Sequence, residues 1–138
     1  MLPEPGQKLL ELAGKQLEGA IGISRTVPWM ADRPADLNTY RRAMKAAGLG
    51  VNAETLAGWV SGRILERALR RIKGEITPMT VAQALRGLGG QDFDELVAPL
   101  GFSALPTEPN PGSRCFWPLI ARSGVWAPAR GGRLCLSY

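Results

Sequence analysis

Three acidic residues that follow Gly90 are the group best suited by type and spacing to acid–base chemistry: Asp92, Asp94 and Glu95. Neighbouring carboxylates can transfer a proton, but no partner base or nucleophile accompanies these three. The sequence contains no histidine, which removes the commonest general base, the commonest zinc ligand and every nucleophile scheme that needs imidazole. We therefore interpret the acids as loop and cap residues, and we expect no catalytic site, no metal and no cofactor.

A row of arginines could serve a different chemistry, the binding of phosphates. The row consists of Arg63, Arg67, Arg70 and Arg71 at helical spacing, and such a face can follow a nucleic-acid backbone. The net charge of +5 permits this without demanding it. No sequence-reading motif accompanies the row, and Glu66 lies among the arginines for local pairing. We expect a solvated face and no nucleic-acid partner; a small basic nucleic-acid-binding protein is the alternative.

Three further residues are candidates for binding a small molecule. Glu54 and Thr55 open a predicted helix, where a carboxylate gains from the helix dipole, so helix stabilisation is the simplest role. The functional interpretation is that both side chains project into a cleft. Trp29 follows a predicted strand and a proline, and it could form the wall of a binding site or simply pack.

The two cysteines, Cys115 and Cys135, leave two possibilities open. They could form a disulfide in an oxidising compartment, or they could be unpaired thiols in strand-like segments. The first residues, Met1 to Pro5, lack the basic start, apolar stretch and cleavage site of a signal peptide. The chain as written is therefore expected to stay in the cytoplasm.

The elements that must position these residues follow from hydrophobic periodicity and from breakers. Helices are predicted over 6–18, 34–47 and 52–72, and from Thr77-Pro78 to the Gly89-Gly90 pair; strands are predicted over 20–27, 114–121 and 125–127, with a hairpin turn at Ser123-Gly124. Pro118 suggests an edge strand or a bulge. The pattern predicts four helices and a few strands that cannot complete a sheet alone.

The third predicted helix carries the strongest periodic pattern. Its apolar residues recur every four positions, at Leu56, Val60, Ile64 and Ala68. We predict that they are buried against the apolar faces of the neighbouring helices, which comprise Leu37, Tyr40, Met44, Val81 and Leu85. An unfinished apolar sheet edge would also allow a non-catalytic interaction module that pairs with another chain.

Five segments, taken in order, give the chain a resemblance to a known family. They read LAGKQLEGAIGISRTVPW, LNTYRRAMKAAG, AETLAGWVSGRILERALRRI, ITPMTVAQALRGL and NPGSRCFWPLIARSGVWAPA, and they span about residues 7 to 128. They resemble the C-terminal part of type 1 periplasmic solute-binding proteins, the leucine-binding type that serves ABC transporters of branched-chain amino acids. Trp59 stands where a tyrosine is usual in that family.

The resemblance implies a fold and a role. The fold is an α/β fragment of a two-lobed binding protein, with residues 6–28 in one lobe, 29–90 in the helical part of the other, 91–128 as a loop and closing strand pair, and 129–138 as a loose tail. The role is non-catalytic capture of an amino-acid-like solute in the periplasm for the membrane subunits of an ABC transporter. By position, Trp29, Glu54 and Thr55 would face the ligand. A full member is more than twice as long, so we expect a truncated fragment.

Overall fold

A computed structural model describes residues 2–3, 6–90, 93, 95–102 and 113–137. The helices in this part of the chain are α1 Gln7–Ala13, α2 Asp36–Ala46, α3 Ala53–Leu69 and α4 Pro78–Arg86, with a 3-10 turn at Gly14–Leu17 after α1. The strands are β1 Leu2–Pro3, β2 Ile21–Ser24, β3 Cys115–Arg122, β4 Val125–Pro128 and β5 Leu134–Cys135. All four predicted helices are present, but α1 is shorter than predicted because Gly14 adopts φ +54 and stops it.

The strands form one small mixed sheet in the order β1-β2-β3-β4, and β5 pairs with the other end of β3. β1 runs parallel to β2, and the remaining pairs are antiparallel. The hairpin between β3 and β4 turns at Ser123 and Gly124, whose φ values of +51 and +77 fit a two-residue turn. The predicted hairpin and its turn residues are therefore confirmed.

β3 is an interior strand, so the prediction that Pro118 marks an edge strand or a bulge is wrong. Pro118 lies opposite Ile23 of β2, and β4 pairs on the other side of β3. β4 ends at Pro128, and the carbonyl of Pro118 accepts a hydrogen bond from the Ala129 amide at 3.0 Å. Pro118 lacks its N–H only at the position where the pairing of β3 with β4 ends. The β3–β4 ladder therefore tolerates Pro118.

The predicted core around α3 is confirmed at most of its positions. Leu56, Val60 and Ala68 are buried, and so are their partners from α2, Leu37, Tyr40 and Met44. α4 contributes no fully buried residue, and its Leu85 packs against the core from a half-buried position.

Ile64 was predicted to be buried, and this is wrong, because it is only half-buried against the core. With 3.6 residues per turn, a four-residue repeat moves about 40° round the helix at each step. This drift does not explain Ile64, because Ala68, one step further along the row, is fully buried.

The two cysteines form a disulfide, with a Cα–Cα distance of 4.0 Å between Cys115 and Cys135. The two residues lie directly opposite each other in the β3–β5 pair. This decides between the two possibilities that the sequence left open. It also holds Leu134 and Cys135 against β3, within a segment that was expected to be loose.

Candidate functional site

Two of the three predicted binding residues line the same cavity. Trp29 and Glu54 border a space of about 460 Å³ between the start of α1 and the start of α3. The other lining residues are Gln7, Lys8, Glu11, Val51 and Asn52. We call this space the Trp29–Glu54 cavity. It offers an indole face, two carboxylates, one ammonium group and two amides, a set that suits a small polar molecule with an apolar part.

Trp29 is held in place through the backbone of its loop. The guanidinium of Arg41 on α2 donates through Nη2 to the carbonyl of Trp29 at 2.7 Å and to that of Ala31 at 2.6 Å. The Trp29 side chain is 9% exposed, so most of the ring packs in the core. Sequence reasoning missed Arg41, because nothing in its spacing distinguishes it from a solvated helix residue.

Glu54 lies in the first turn of α3 and is exposed. Its carboxylate reaches the start of α1, where a Cβ on Gly6 would lie only 2.6 Å from Oε1. Gly6 therefore leaves the room that this carboxylate occupies. With Glu11 and Lys8 also at the cavity, the charged residues of the lining carry two negative charges and one positive charge. A positively charged group on a ligand would be attracted.

Thr55 is placed differently from the other two. Its hydroxyl lies 2.6 Å from the Tyr40 hydroxyl and donates to the Gly50 carbonyl at 2.8 Å. Its amide donates to Oδ1 of Asn52 at 2.8 Å, which completes a capping box at the start of α3. Thr55 borders a separate apolar groove beside Trp59 rather than the Trp29–Glu54 cavity. The hydrogen bonds assign it a structural task at the helix start.

Replacing Thr55 with valine should lower the free energy of unfolding by about 1–2 kcal/mol, because the capping box loses its hydroxyl and Tyr40 loses a hydrogen bond. Thr39→Val on the exposed face of α2 is the matched control and should change stability by less than about 0.5 kcal/mol. Urea denaturation of the two variants makes the comparison. Equal losses would show that the capping network contributes nothing particular.

The arginine row of α3 is engaged locally, as its spacing around Glu66 predicted. The Glu66 carboxylate pairs with Arg63 at 2.7 Å and with Arg70 at 2.6 Å. The guanidinium of Arg67 lies over the Phe93 ring, 5.4 Å from its centre. These contacts support a structural interpretation of the row.

Of the three acids after Gly90, one belongs to the residues that the structure describes. Asp92 and Asp94 lie outside the described residues, and Glu95 is exposed with φ +61. Across the described ranges, no three histidine, cysteine, aspartate or glutamate side chains are grouped to hold a metal ion. In the same ranges, no helix combines the length and the apolar character needed to cross a bilayer.

Comparison with known proteins gives a match only at the level of structure. No protein-family model matches the chain, and no curated protein matches it. The chain aligns over 98% of its length, at 20% identity and a TM-score of 0.68, with a branched-chain amino acid ABC transporter protein from Thermus thermophilus solved with bound valine. A leucine-binding protein from Thermotoga maritima aligns over 89%, at 16% identity and a TM-score of 0.64.

A third solved structure is that of a possible leucine/isoleucine/valine-binding protein from Rhodopirellula baltica. It aligns over 96% of this chain, at 28% identity and a TM-score of 0.69. This chain spans 38%, 33% and 33% of the three proteins in turn. The resemblance seen in the sequence is thereby confirmed as a shared fold, and so is the predicted α/β class, with four helices and a small open sheet in the described residues.

Proposed function

We propose that this chain, which has the fold of a type 1 periplasmic binding protein over about a third of such a protein's length, is a non-catalytic part of a solute-binding protein for an ABC uptake system. The solute would be an amino acid or a related small molecule. The observation that carries the proposal is the convergence of Trp29 and Glu54 on one cavity, in a fold shared with proteins that bind valine and leucine.

Capture would work by closure of two lobes on the ligand, with the bound solute stabilising the closed state. By the resemblance, residues 6–28 belong to one lobe and 29–90 to the helical part of the other. The Trp29–Glu54 cavity draws its lining from both segments, since Gln7, Lys8 and Glu11 lie on α1 and Glu54 lies on α3. Thr55, whose side chain caps α3, would contribute to the site by fixing the helix start that carries Glu54.

The surface of the chain supports the proposal that further protein covers it in the working molecule. Large apolar side chains are well exposed on several elements: Leu12, Ile21, Leu49, Val51, Leu65, Ile76, Met79, Val125, Leu134 and Leu136. The remaining two-thirds of a two-lobed protein would bury part of this surface. The proposed setting is the periplasm, with the membrane subunits of the transporter as partners.

The proposal is tested by comparing the chain alone with a chimera. We expect no calorimetric binding of valine, leucine or isoleucine by the chain alone, because the cavity has only part of its walls. In the chimera, this chain replaces the matching third of the Rhodopirellula baltica protein, which should give a two-lobed molecule that binds one of these amino acids. A chimera that unfolds cooperatively and binds none of them would refute the proposed function.

Within that chimera, Glu54→Gln should weaken amino-acid binding by about 10- to 100-fold. The carboxylate would form a charge-assisted hydrogen bond with the ligand's ammonium group, and such bonds contribute about 1.5–3 kcal/mol. The control is Glu75→Gln, which removes an exposed carboxylate that does not line the cavity. Titration calorimetry measures both. If neither Glu54→Gln nor Trp29→Leu changes the affinity, the site assignment is wrong even where the chimera binds an amino acid.

A further inference from the structure

A second polar cavity is lined in part by residues that precede and follow Trp29 in the sequence. Its volume is about 300 Å³, and its lining comes from four distant parts of the chain: Val27, Arg33, Pro34, Glu95, Trp117 and Arg133. We call it the two-arginine cavity. Among the described residues it shares no lining residue with the Trp29–Glu54 cavity, so variants can test the two cavities separately.

Two arginine residues border this cavity, Arg33 and Arg133. Both arginines are exposed, and among the described residues neither side chain has a hydrogen bond or an ion pair. Glu95 borders the same cavity but forms no ion pair with them, and the three charged residues leave one net positive charge there. Guanidinium groups that border one space can present the paired N–H donors that a carboxylate or a phosphate accepts.

Each arginine is attached to a segment whose position is fixed by neighbouring structure. Arg33 directly precedes Pro34, which itself lines the cavity. Arg133 directly precedes β5. The Cys115–Cys135 disulfide attaches β5 to β3, and next to it the Leu136 amide donates a hydrogen bond to the Arg114 carbonyl at 3.0 Å. β5 has only two residues, and both are exposed. The disulfide is therefore the principal attachment that keeps Arg133 at the two-arginine cavity.

The uncharged residues that line the two-arginine cavity favour an organic acid over an inorganic anion. Val27 is buried, and Pro34 and Trp117 are half-buried, so an apolar surface faces the occupant. An inorganic anion would use the guanidinium groups alone, whereas an organic acid would also cover the indole and aliphatic surface. We infer that Arg33, Arg133 and Trp117 form a binding site for a small organic carboxylate, assembled by the Cys115–Cys135 disulfide.

The test titrates the oxidised full chain with benzoate, acetate and inorganic phosphate at one fixed ionic strength, followed by NMR. Benzoate should bind more tightly than either of the others. Arg33→Gln and Arg133→Gln should each weaken benzoate binding by about tenfold or more, since each removes a charge-assisted contact. Arg130→Gln is the matched control, because Arg130 is an exposed arginine of the same segment that does not line the cavity.

Absence of benzoate binding by the oxidised chain overturns the inference, and so does an equal loss in the Arg130→Gln control. Phosphate binding as tight as benzoate binding would exclude the organic carboxylate in favour of a simple anion site. The Cys115→Ser/Cys135→Ser variant should bind benzoate about tenfold more weakly, because Arg133 would no longer be held at the cavity. Undiminished binding by that variant would refute the role of the disulfide.

Discussion

Replacing Leu56 with alanine should lower the free energy of unfolding by about 2–5 kcal/mol. Leu56 is 0% exposed and directly follows Thr55, the last residue of the capping box of α3. It belongs to the core that α3 shares with Leu37 and Tyr40 of α2. Removing its side chain deletes buried apolar surface and leaves a cavity that the tightly packed surroundings refill only in part.

The same helix offers a matched control. Leu65 is 45% exposed, so Leu65→Ala makes the same chemical change on the outer face of α3. It should cost about 1 kcal/mol or less. Ile64→Val should also be mild, because Ile64 is half-buried and the change removes a single methyl group. Urea denaturation monitored by tryptophan fluorescence ranks the variants, and equal losses at Leu56 and Leu65 would contradict the described packing.

Local periodicity allowed the helical part of the fold to be predicted. The row of apolar residues at Leu56, Val60 and Ala68 indicated both the existence of α3 and its buried face. Asn52 and Thr77 indicated where α3 and α4 begin, since each forms a capping box as an N-cap residue. These signals lie within a few residues of the structure they specify.

The features that the sequence did not reveal depend on partners far along the chain. Pro118 suggested an edge strand, and only the pairing of β3 with β2 from near the start of the chain makes it interior. The disulfide was left open for the same reason, because spacing alone does not bring Cys115 and Cys135 together. At the candidate site, Glu54 and Trp29 were proposed from their positions and border one cavity, whereas Arg41 was missed because its target is the backbone of a distant loop.

Reduction of the Cys115–Cys135 disulfide should lower the free energy of unfolding by about 3 kcal/mol. The bond closes a loop with a sequence separation of 20 residues, and the entropy that such a loop removes from the unfolded chain corresponds to a stabilisation of that size. Urea denaturation with and without a reducing agent measures the difference. The Cys115→Ser/Cys135→Ser variant is the control, and its stability should equal that of the reduced chain and be unaffected by the reducing agent.

The effect on the folded state should be confined to the end of β3 that carries β5. Both β5 residues are exposed, and the strand is two residues long, so it cannot hold its position by pairing alone. Hydrogen exchange should therefore show the Leu136 amide, bonded to the Arg114 carbonyl at 3.0 Å, losing protection on reduction. Amides in the β2–β3 ladder, where Gly22 lies opposite Leu119, should lose protection only by the global change in stability. If the β2–β3 amides open together with Leu136 at a much lower free energy, the disulfide supports the whole sheet and not β5 alone.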